Sequence, residues 1–185
     1  MSNIIIIHGT GSSPNGNWFP WLKIELEKLG HDVFVPWFPT PERQSLENWL
    51  KTFEEYEQYL NEDSVVVGHS LGVAFLLNVL EKLESPIKAA FFVAGFIGPI
   101  NNPEFDELNK TFADKQFDWM TIKNNCRKFV VINSDNDPYV SLDKGQELAD
   151  KLGTGLIVLG GAGHINKEAG YMEFEFLLEK IKSEI

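Results

Sequence analysis

The sequence contains a single cysteine, Cys126, and no apolar run of membrane-spanning length. A lone cysteine forms no internal disulfide and has no second thiol with which to bind a metal, which fits a reducing compartment. The longest apolar run near the start, residues 4–7, follows no basic segment and is far shorter than a signal peptide or a membrane span. We therefore expect a cytoplasmic protein without a membrane partner, in which Cys126 is a small, partly buried hydrophobic residue.

Positive charge is also scarce, because 16 Lys and Arg residues stand against 27 Asp and Glu residues, for a formal net charge of -11. A surface this acidic repels nucleic-acid phosphates and anionic lipid headgroups, so neither is an expected partner. No repeat, low-complexity segment or Pro/Gly/Ser-rich linker divides the 185 residues. The 43% hydrophobic share is enough for one core, and we expect a single domain over residues 1–185.

Short apolar runs rich in β-branched and aromatic residues are the main secondary-structure signal. They are continuous rather than alternating, which is typical of strands covered by helices on both faces. Three stripes of apolar residues at steps of three and four predict helices between or after them, within residues 46–60, 73–83 and 171–181. Such alternation predicts an α/β fold, with a doubly wound, mostly parallel sheet, no large cap domain, and functional residues at the carboxyl ends of the strands. The six predicted strands are residues 4–9, 32–37, 64–68, 89–95, 128–134 and 155–161.

The segment SVVVGHSLGVAF, residues 64–75, places Ser70 between a predicted strand and a predicted helix. A nucleophilic serine on such a sharp turn needs small neighbours, and Gly68 and Gly72 provide them. The helix that follows directs its first backbone N–H, that of Leu71, toward an oxyanion formed beside Ser70. The bare Gly-x-Ser-x-Gly pattern also occurs by chance, with the serine only a small residue in a tight turn, but its position between strand and helix favours a nucleophile elbow.

A serine nucleophile needs a base and a carboxylate that orients the base. The fifth predicted strand leads into SDNDPYV, with Asp135 and Asp137, and the sixth into GGAGHIN, with His164. The order Ser70, Asp137, His164 is that of hydrolases with a strand-turn-helix nucleophile. Asp137 is favoured because the following proline holds it extended, whereas Asp135 is the alternative and is equally suited to capping the turn.

The segment HGTGSSPNGNWFPW, residues 8–21, follows the first predicted strand and is glycine-rich. It lacks both the third glycine of a dinucleotide fingerprint and the Gly-Lys-Ser/Thr of a P-loop, so nucleotide chemistry is not indicated. We interpret it as the source of a second oxyanion donor, the backbone N–H of Thr10, although simple loop punctuation is the alternative. Trp18 more often packs a helix than contacts substrate, but Gly11 and Trp18 here, with Phe96 and Ile97 after the fourth strand, are the candidate substrate contacts. Residues 95–110 are the candidate for a short lid, with an ordinary connection as the alternative.

With these residues in place, the sequence resembles the α/β-hydrolase superfamily and, more narrowly, the small serine hydrolases grouped with retinoblastoma-binding protein 9. The resemblance covers nearly the whole chain, including the specific segments WFPTPERQSLENWL and FDWMTIKNNCRKFVVINSDNDPYV. It implies Ser70 as nucleophile, Asp137 as triad acid and His164 as base. Binding to the retinoblastoma protein is not implied, because its Leu-x-Cys-x-Glu motif is replaced around Cys126 by Asn124 and Lys128.

These observations predict a serine hydrolase that cleaves a small ester, thioester or amide through an acyl-enzyme, without metal or organic cofactor. The expected partner is a small acyl substrate. Two alternatives remain at this point: a catalytically quiet hydrolase fold that binds a protein partner, and a cofactor-free haloperoxidase or lyase that uses the same three residues.

Overall fold

The structure is a computed structural model that describes residues 1–185. Six strands form one sheet in which every neighbouring pair is parallel. The strands are β1 (Asn3–Ile7), β2 (Asp32–Phe34), β3 (Val65–His69), β4 (Ala89–Val93), β5 (Phe129–Ser134) and β6 (Leu156–Leu159). Their order across the sheet is β2-β1-β3-β4-β5-β6. The first crossover places β2 on one side of β1, and the later strands are added on the other side, so the strand order reverses between β1 and β3. Ligands of open α/β sheets bind at such a reversal.

The predicted fold class is confirmed, with all six strands at or near their expected places. The largest difference is at β2, which ends at Phe34 rather than continuing to residue 37. Pro36 has no backbone N–H to donate to a neighbouring strand, which explains why this edge strand stops early. In β1 the pairing ends at Ile7, and the next two residues, His8 and Gly9, belong to the loop.

Seven α-helices cover the two faces of the sheet. Along β1, Ile4 and Ile6 belong to one buried cluster and Ile5 and Ile7 to the other, as the two-residue period of a strand requires. The first cluster is closed by α1 and α7, and the second by the other five helices. The helices are α1 (Phe19–Lys28), α2 (Leu46–Glu57), α3 (Leu71–Leu80), α4 (Pro103–Ala113), α5 (Trp119–Asn124), α6 (Leu142–Leu152) and α7 (Glu175–Lys182).

Helix α3 is buried along its whole length, because it packs on the sheet and is covered in turn by α2, α4 and α5. Its burial fixes the position of Ser70, the residue immediately before it. Cys126 is also buried, with its Sγ donating to the carbonyl oxygen of Lys128, and burial raises the pKa of this thiol to about 12. None of the helices combines the length and the apolar character that crossing a membrane requires.

Candidate active site

Ser70 lies between the end of β3 and the start of α3, in a backbone conformation that side-chain-bearing residues rarely adopt. Its φ is 55° and its ψ is -122°. Its N–H donates to the carbonyl oxygen of Val93 over 2.9 Å, and its own carbonyl accepts from the N–H of Val73 over 3.0 Å. Strained conformations of this kind persist only where the surrounding structure holds them, and they cluster at functional sites.

Glycines allow the chain segments around Ser70 to approach one another. A Cβ placed on Gly72 would collide with the carbonyl oxygens of Ile7 and His8, and one placed on Gly9 would lie 2.8 Å from the Cβ of Ser70. The loop after β1 is therefore packed directly against the serine. This contact requires glycine at both positions and brings Thr10 beside Ser70.

His164 and Asp137 form a close pair across the loops that follow β5 and β6. Nδ1 of His164 donates to Oδ2 of Asp137 over 2.7 Å, and the Asp137 side chain is fully buried. Oδ1 of Asp137 accepts from the backbone N–H groups of Tyr139, at 2.9 Å, and Val140, at 3.1 Å. The carboxylate is thus fixed on both oxygens, and the Nε2 atom of His164 is left as the proton acceptor of the ring.

Residues 134–136, just before Asp137, join the loop after β5 to the loop after β6 through three hydrogen bonds. Ser134 Oγ accepts from the N–H of Ala162, at 3.0 Å. Asp135 Oδ1 accepts from Gly161 N, at 2.7 Å, and Asn136 Oδ1 accepts from Gly163 N, at 2.8 Å. Asp135, the alternative carboxylate, therefore binds the backbone of the His164 loop, whereas Asp137 contacts the imidazole itself.

Two buried side-chain N–H groups, from His69 and Trp18, bind backbone carbonyl oxygens of the His164 loop. Nε2 of His69 bonds to the carbonyl oxygen of His164 over 2.9 Å, and Nε1 of Trp18 donates to that of Ile165, also over 2.9 Å. Since a carbonyl oxygen only accepts hydrogen bonds, Nε2 of His69 carries the ring proton. Nδ1 is therefore unprotonated, and it has no hydrogen-bond partner. Burial, with a smaller contribution from the neighbouring His164, lowers the pKa of His69 to about 3, so the ring is neutral.

Thr10 is held by a polar network from two other parts of the chain. Its Oγ1 donates to Oδ1 of Asn109 over 2.8 Å and accepts from Nε2 of Gln44 over 3.1 Å. Thr40 Oγ1 donates to Oε1 of Gln44. The same Thr40 oxygen accepts a hydrogen bond from the backbone N–H of Gly11. The N–H of Gly11 is therefore occupied, whereas that of Thr10 makes no hydrogen bond. The N–H of Leu71, at the first turn of α3, likewise has no partner within the helix.

Two neighbouring cavities are lined by Ser70, and both are also lined by Thr10, His164, Asn166 and Glu168. Of the predicted substrate contacts, Gly11 lines one cavity and Phe96 the other. Trp18 is instead fully buried in the core, where its indole N–H holds the His164 loop. Ile97 is buried and lines neither cavity, and we leave both residues out of the binding site.

Several residues of the site had no recognisable signal in the sequence. Gln44, Asn109 and His69 act through hydrogen bonds to residues distant in the chain, and no local pattern marks them. Tyr139, whose ring meets the His164 ring edge-on at 5.0 Å, had a weak signal in its position two residues after Asp137. No group of three or more His, Cys, Asp and Glu side chains is arranged to hold a metal ion.

Comparison with known proteins decides the family. The model of the family described as serine hydrolase matches residues 4–183. The chain belongs to this serine hydrolase family. YdeN of Bacillus subtilis (strain 168) is 29% identical over 182 residues, which cover 97% of this chain and 94% of YdeN. The serine hydrolase RBBP9 of Rattus norvegicus is 25% identical over 177 residues, which cover 95% and 90% of the two chains.

Solved structures place this serine hydrolase in the α/β-hydrolase fold. The crystal structure of the ydeN product from B. subtilis superposes with a TM-score of 0.92 over 99% of this chain and 98% of the other, at 29% identity. Est1E of Butyrivibrio proteoclasticus, solved with ferulic acid bound, has a TM-score of 0.71 at 15% identity over 98% and 90% of the two chains, and shows the same fold. The expected esterase-like serine hydrolase is thus confirmed as a class of enzyme.

Proposed function

We propose that this serine hydrolase cleaves a small ester, thioester or amide through an acyl-enzyme on Ser70. The observation that carries the proposal is the pair formed by His164 Nδ1 and Asp137 Oδ2 at 2.7 Å, in a site whose two cavities are both lined by Ser70. A strained serine and an oriented imidazole that line the same cavities are the groups that nucleophilic acyl transfer requires. The alternative carboxylate, Asp135, makes no contact with the imidazole.

In the first half of the reaction, Nε2 of His164 accepts the Ser70 proton while Oγ attacks the substrate carbonyl carbon. Asp137 keeps the imidazole in the tautomer with the proton on Nδ1 and stabilises the imidazolium that forms. Collapse of the tetrahedral intermediate breaks the bond to the leaving group, which takes the proton from His164. In the second half, His164 activates a water that attacks the acyl-enzyme and releases the carboxylic acid.

Negative charge on the tetrahedral oxygen is stabilised by the backbone N–H groups of Leu71 and Thr10. Both lie beside Ser70, and neither is used by the regular structure around it. Donors fixed before the reaction cost no reorganisation when the charge appears. The network that holds Thr10, through Asn109 and Gln44, is the device that fixes one of them.

Labelling with a fluorophosphonate probe tests this proposal, because the probe reacts with activated serines. We expect wild type to be labelled and Ser70→Ala and His164→Ala not to be labelled. Ser85→Ala, an exposed serine outside the site, is the matched control and should be labelled like wild type. Absence of labelling in folded wild type would overturn the proposal and favour a catalytically quiet, partner-binding protein.

A further inference from the structure

The two cavities beside Ser70 differ in chemistry. One, which we call the apolar cavity, has a volume of about 190 Å³, and five of its eleven lining residues are hydrophobic. The other has a volume of about 310 Å³, and none of its thirteen lining residues is hydrophobic. Since Ser70 lines both, as do Thr10, His164, Asn166 and Glu168, a substrate carbonyl bound at the serine extends one part of the molecule into each cavity. The hydrophobic residues of the first are Phe96, Ile100, Phe105, Tyr139 and Val140.

The apolar cavity accepts a compact group. Phe96 and Val140 are each only 1% exposed and form its base. Its rim is formed by the rings of Phe105, from α4, and Tyr139, which meet edge-on at 5.8 Å. Sites for drug-sized ligands measure roughly 300–1,000 Å³, so a cavity of about 190 Å³ fits a short chain or a small branched group. Each methylene buried here is expected to strengthen binding about fourfold.

The polar cleft disfavours an apolar group. Its own walls carry hydroxyl and amide groups from Ser12, Ser13 and Asn17 and the charged side chain of Lys167, whereas Asn166 and Glu168 line both cavities. Asn17 Oδ1 accepts from the N–H of Lys167 over 3.0 Å, which ties the Thr10 loop to the His164 loop across the cleft. An apolar group seated here would remove water from these polar atoms without replacing its hydrogen bonds, and would therefore bind more weakly than a polar group.

We infer that the natural substrate joins a compact apolar group to a polar, hydrogen-bonding group through the bond that is cleaved. This inference rests on the proposed function, because it assigns parts of the substrate to the two cavities that Ser70 lines. The bond from Ser70 Oγ to the carbonyl carbon forms first, the bond to the leaving oxygen, sulfur or nitrogen breaks as the tetrahedral intermediate collapses, and the serine proton passes through His164 to the leaving group. Water then supplies the hydroxyl of the acid product.

Four esters that combine the two characters in every way test the inference. Glyceryl monobutyrate has an apolar acyl and a polar alcohol part, and butyl glycerate has the reverse, whereas butyl butyrate and glyceryl glycerate are uniform. We expect kcat/KM, measured from acid release at constant pH, to be at least about tenfold higher for one mixed ester than for both uniform esters, and that ester identifies the side of the acyl group. A uniform ester cleaved as well as both mixed ones overturns the inference.

A variant of the apolar cavity provides a second measurement. Phe105→Ala removes one side of the rim, and we expect it to lower the preference for the mixed ester over glyceryl glycerate by about fivefold to tenfold, which corresponds to the burial of one or two methylenes. Phe176→Ala removes a partly exposed aromatic residue on α7, outside both cavities, and should leave the preference unchanged. An equal preference in wild type and Phe105→Ala contradicts the assignment of the apolar cavity.

Fluorophosphonate labelling separates the two proposals. If Ser70 is labelled but neither mixed ester is preferred or cleaved, the substrate assignment fails and the hydrolase mechanism stands. If folded wild type is not labelled and cleaves none of the four esters, the proposed function fails and the substrate assignment fails with it.

Discussion

The turn that carries Ser70 and the loops that carry Asp137 and His164 are held by different forces. Around Ser70, backbone segments are in direct contact, and Gly72 leaves no room for an added atom. Around the other two residues, loops are joined by hydrogen bonds that the side chains of residues 134–136 accept from the backbone N–H groups of residues 161–163. The first region is therefore sensitive to volume, and the second to the loss of a hydrogen-bond acceptor.

The largest expected effect comes from changing the chemistry of the second region without changing its shape. Asp137→Asn retains an oxygen for the Tyr139 and Val140 N–H groups but no longer fixes the tautomer of His164. We expect kcat for the preferred ester to fall about 10⁴-fold with an unchanged circular dichroism spectrum. Asp135→Asn, which keeps its bond to the Gly161 N–H, should lose less than about tenfold. Equal losses in the two variants would mean that Asp137 has no special role.

The next effect comes from adding volume to the first region. Gly72→Ala forces the turn away from the carbonyl oxygens of Ile7 and His8, and we expect the free energy of unfolding to fall by about 1–3 kcal/mol. Urea unfolding measures the change. Gly155→Ala is the control, because a Cβ there has open space, and it should shift the free energy of unfolding by less than about 0.5 kcal/mol. Wild-type stability in Gly72→Ala would contradict the close packing described here.

His69 joins the two regions, since it precedes Ser70 and binds the carbonyl of His164. Its pKa is about 3 in the folded protein and about 6.5 in the unfolded chain. Between these values the unfolded chain binds a proton that the folded protein does not, so His69 makes stability fall as the pH falls through this window, by at most about 1.4 kcal/mol per pH unit. We expect His69→Gln, which retains an N–H donor but does not titrate, to show a shallower decline from pH 6.5 to 4 in urea unfolding. An identical slope in both proteins would contradict a neutral, buried His69.

The smallest effect is expected at one of the hydrogen bonds between the loops. Asn136→Ala removes the acceptor of the Gly163 N–H, which costs roughly 0.5–1.5 kcal/mol in the free energy of unfolding. Catalysis should decline by less than about tenfold, because two other bonds between the loops remain. Asn136→Asp keeps an acceptor oxygen and should recover most of the loss. A similar loss in both variants would show that the acceptor is not what matters at this position.

The difference between the Ser70 turn and the hydrogen-bonded loops also explains which features the sequence could predict. The strands and the Ser70 turn have local signals, because a buried parallel strand needs a continuous apolar run and a crowded turn needs glycine. The favoured carboxylate had a local signal too, in the proline after Asp137, and the structure pairs that residue with His164. The fold class was predictable for the same reason, whereas the catalytic roles of the three residues await the experiments above.

Features that depend on distant parts of the chain were not predictable. Asn109 reaches Thr10 across 99 positions of sequence, and Gln44 joins them only because α4 packs beside the loop after β1. For Trp18 the sequence left packing and substrate contact both open, and only the structure shows that its side chain turns into the core. The contrast between the two cavities has the same origin, since each combines residues from several loops that only the folded chain brings together.

The burial of Cys126 has a practical consequence for following this enzyme in solution. Maleimide and iodoacetamide dyes react with the thiolate, and a thiol that is 3% exposed with a pKa of about 12 presents almost none at neutral pH. The wild-type chain is therefore expected to take up almost no thiol-reactive dye, so labelling at an introduced cysteine is site-specific. A single Lys167→Cys substitution at the rim of the polar cleft would carry one fluorophore, and its emission would report ligand entry without any need to remove the native cysteine.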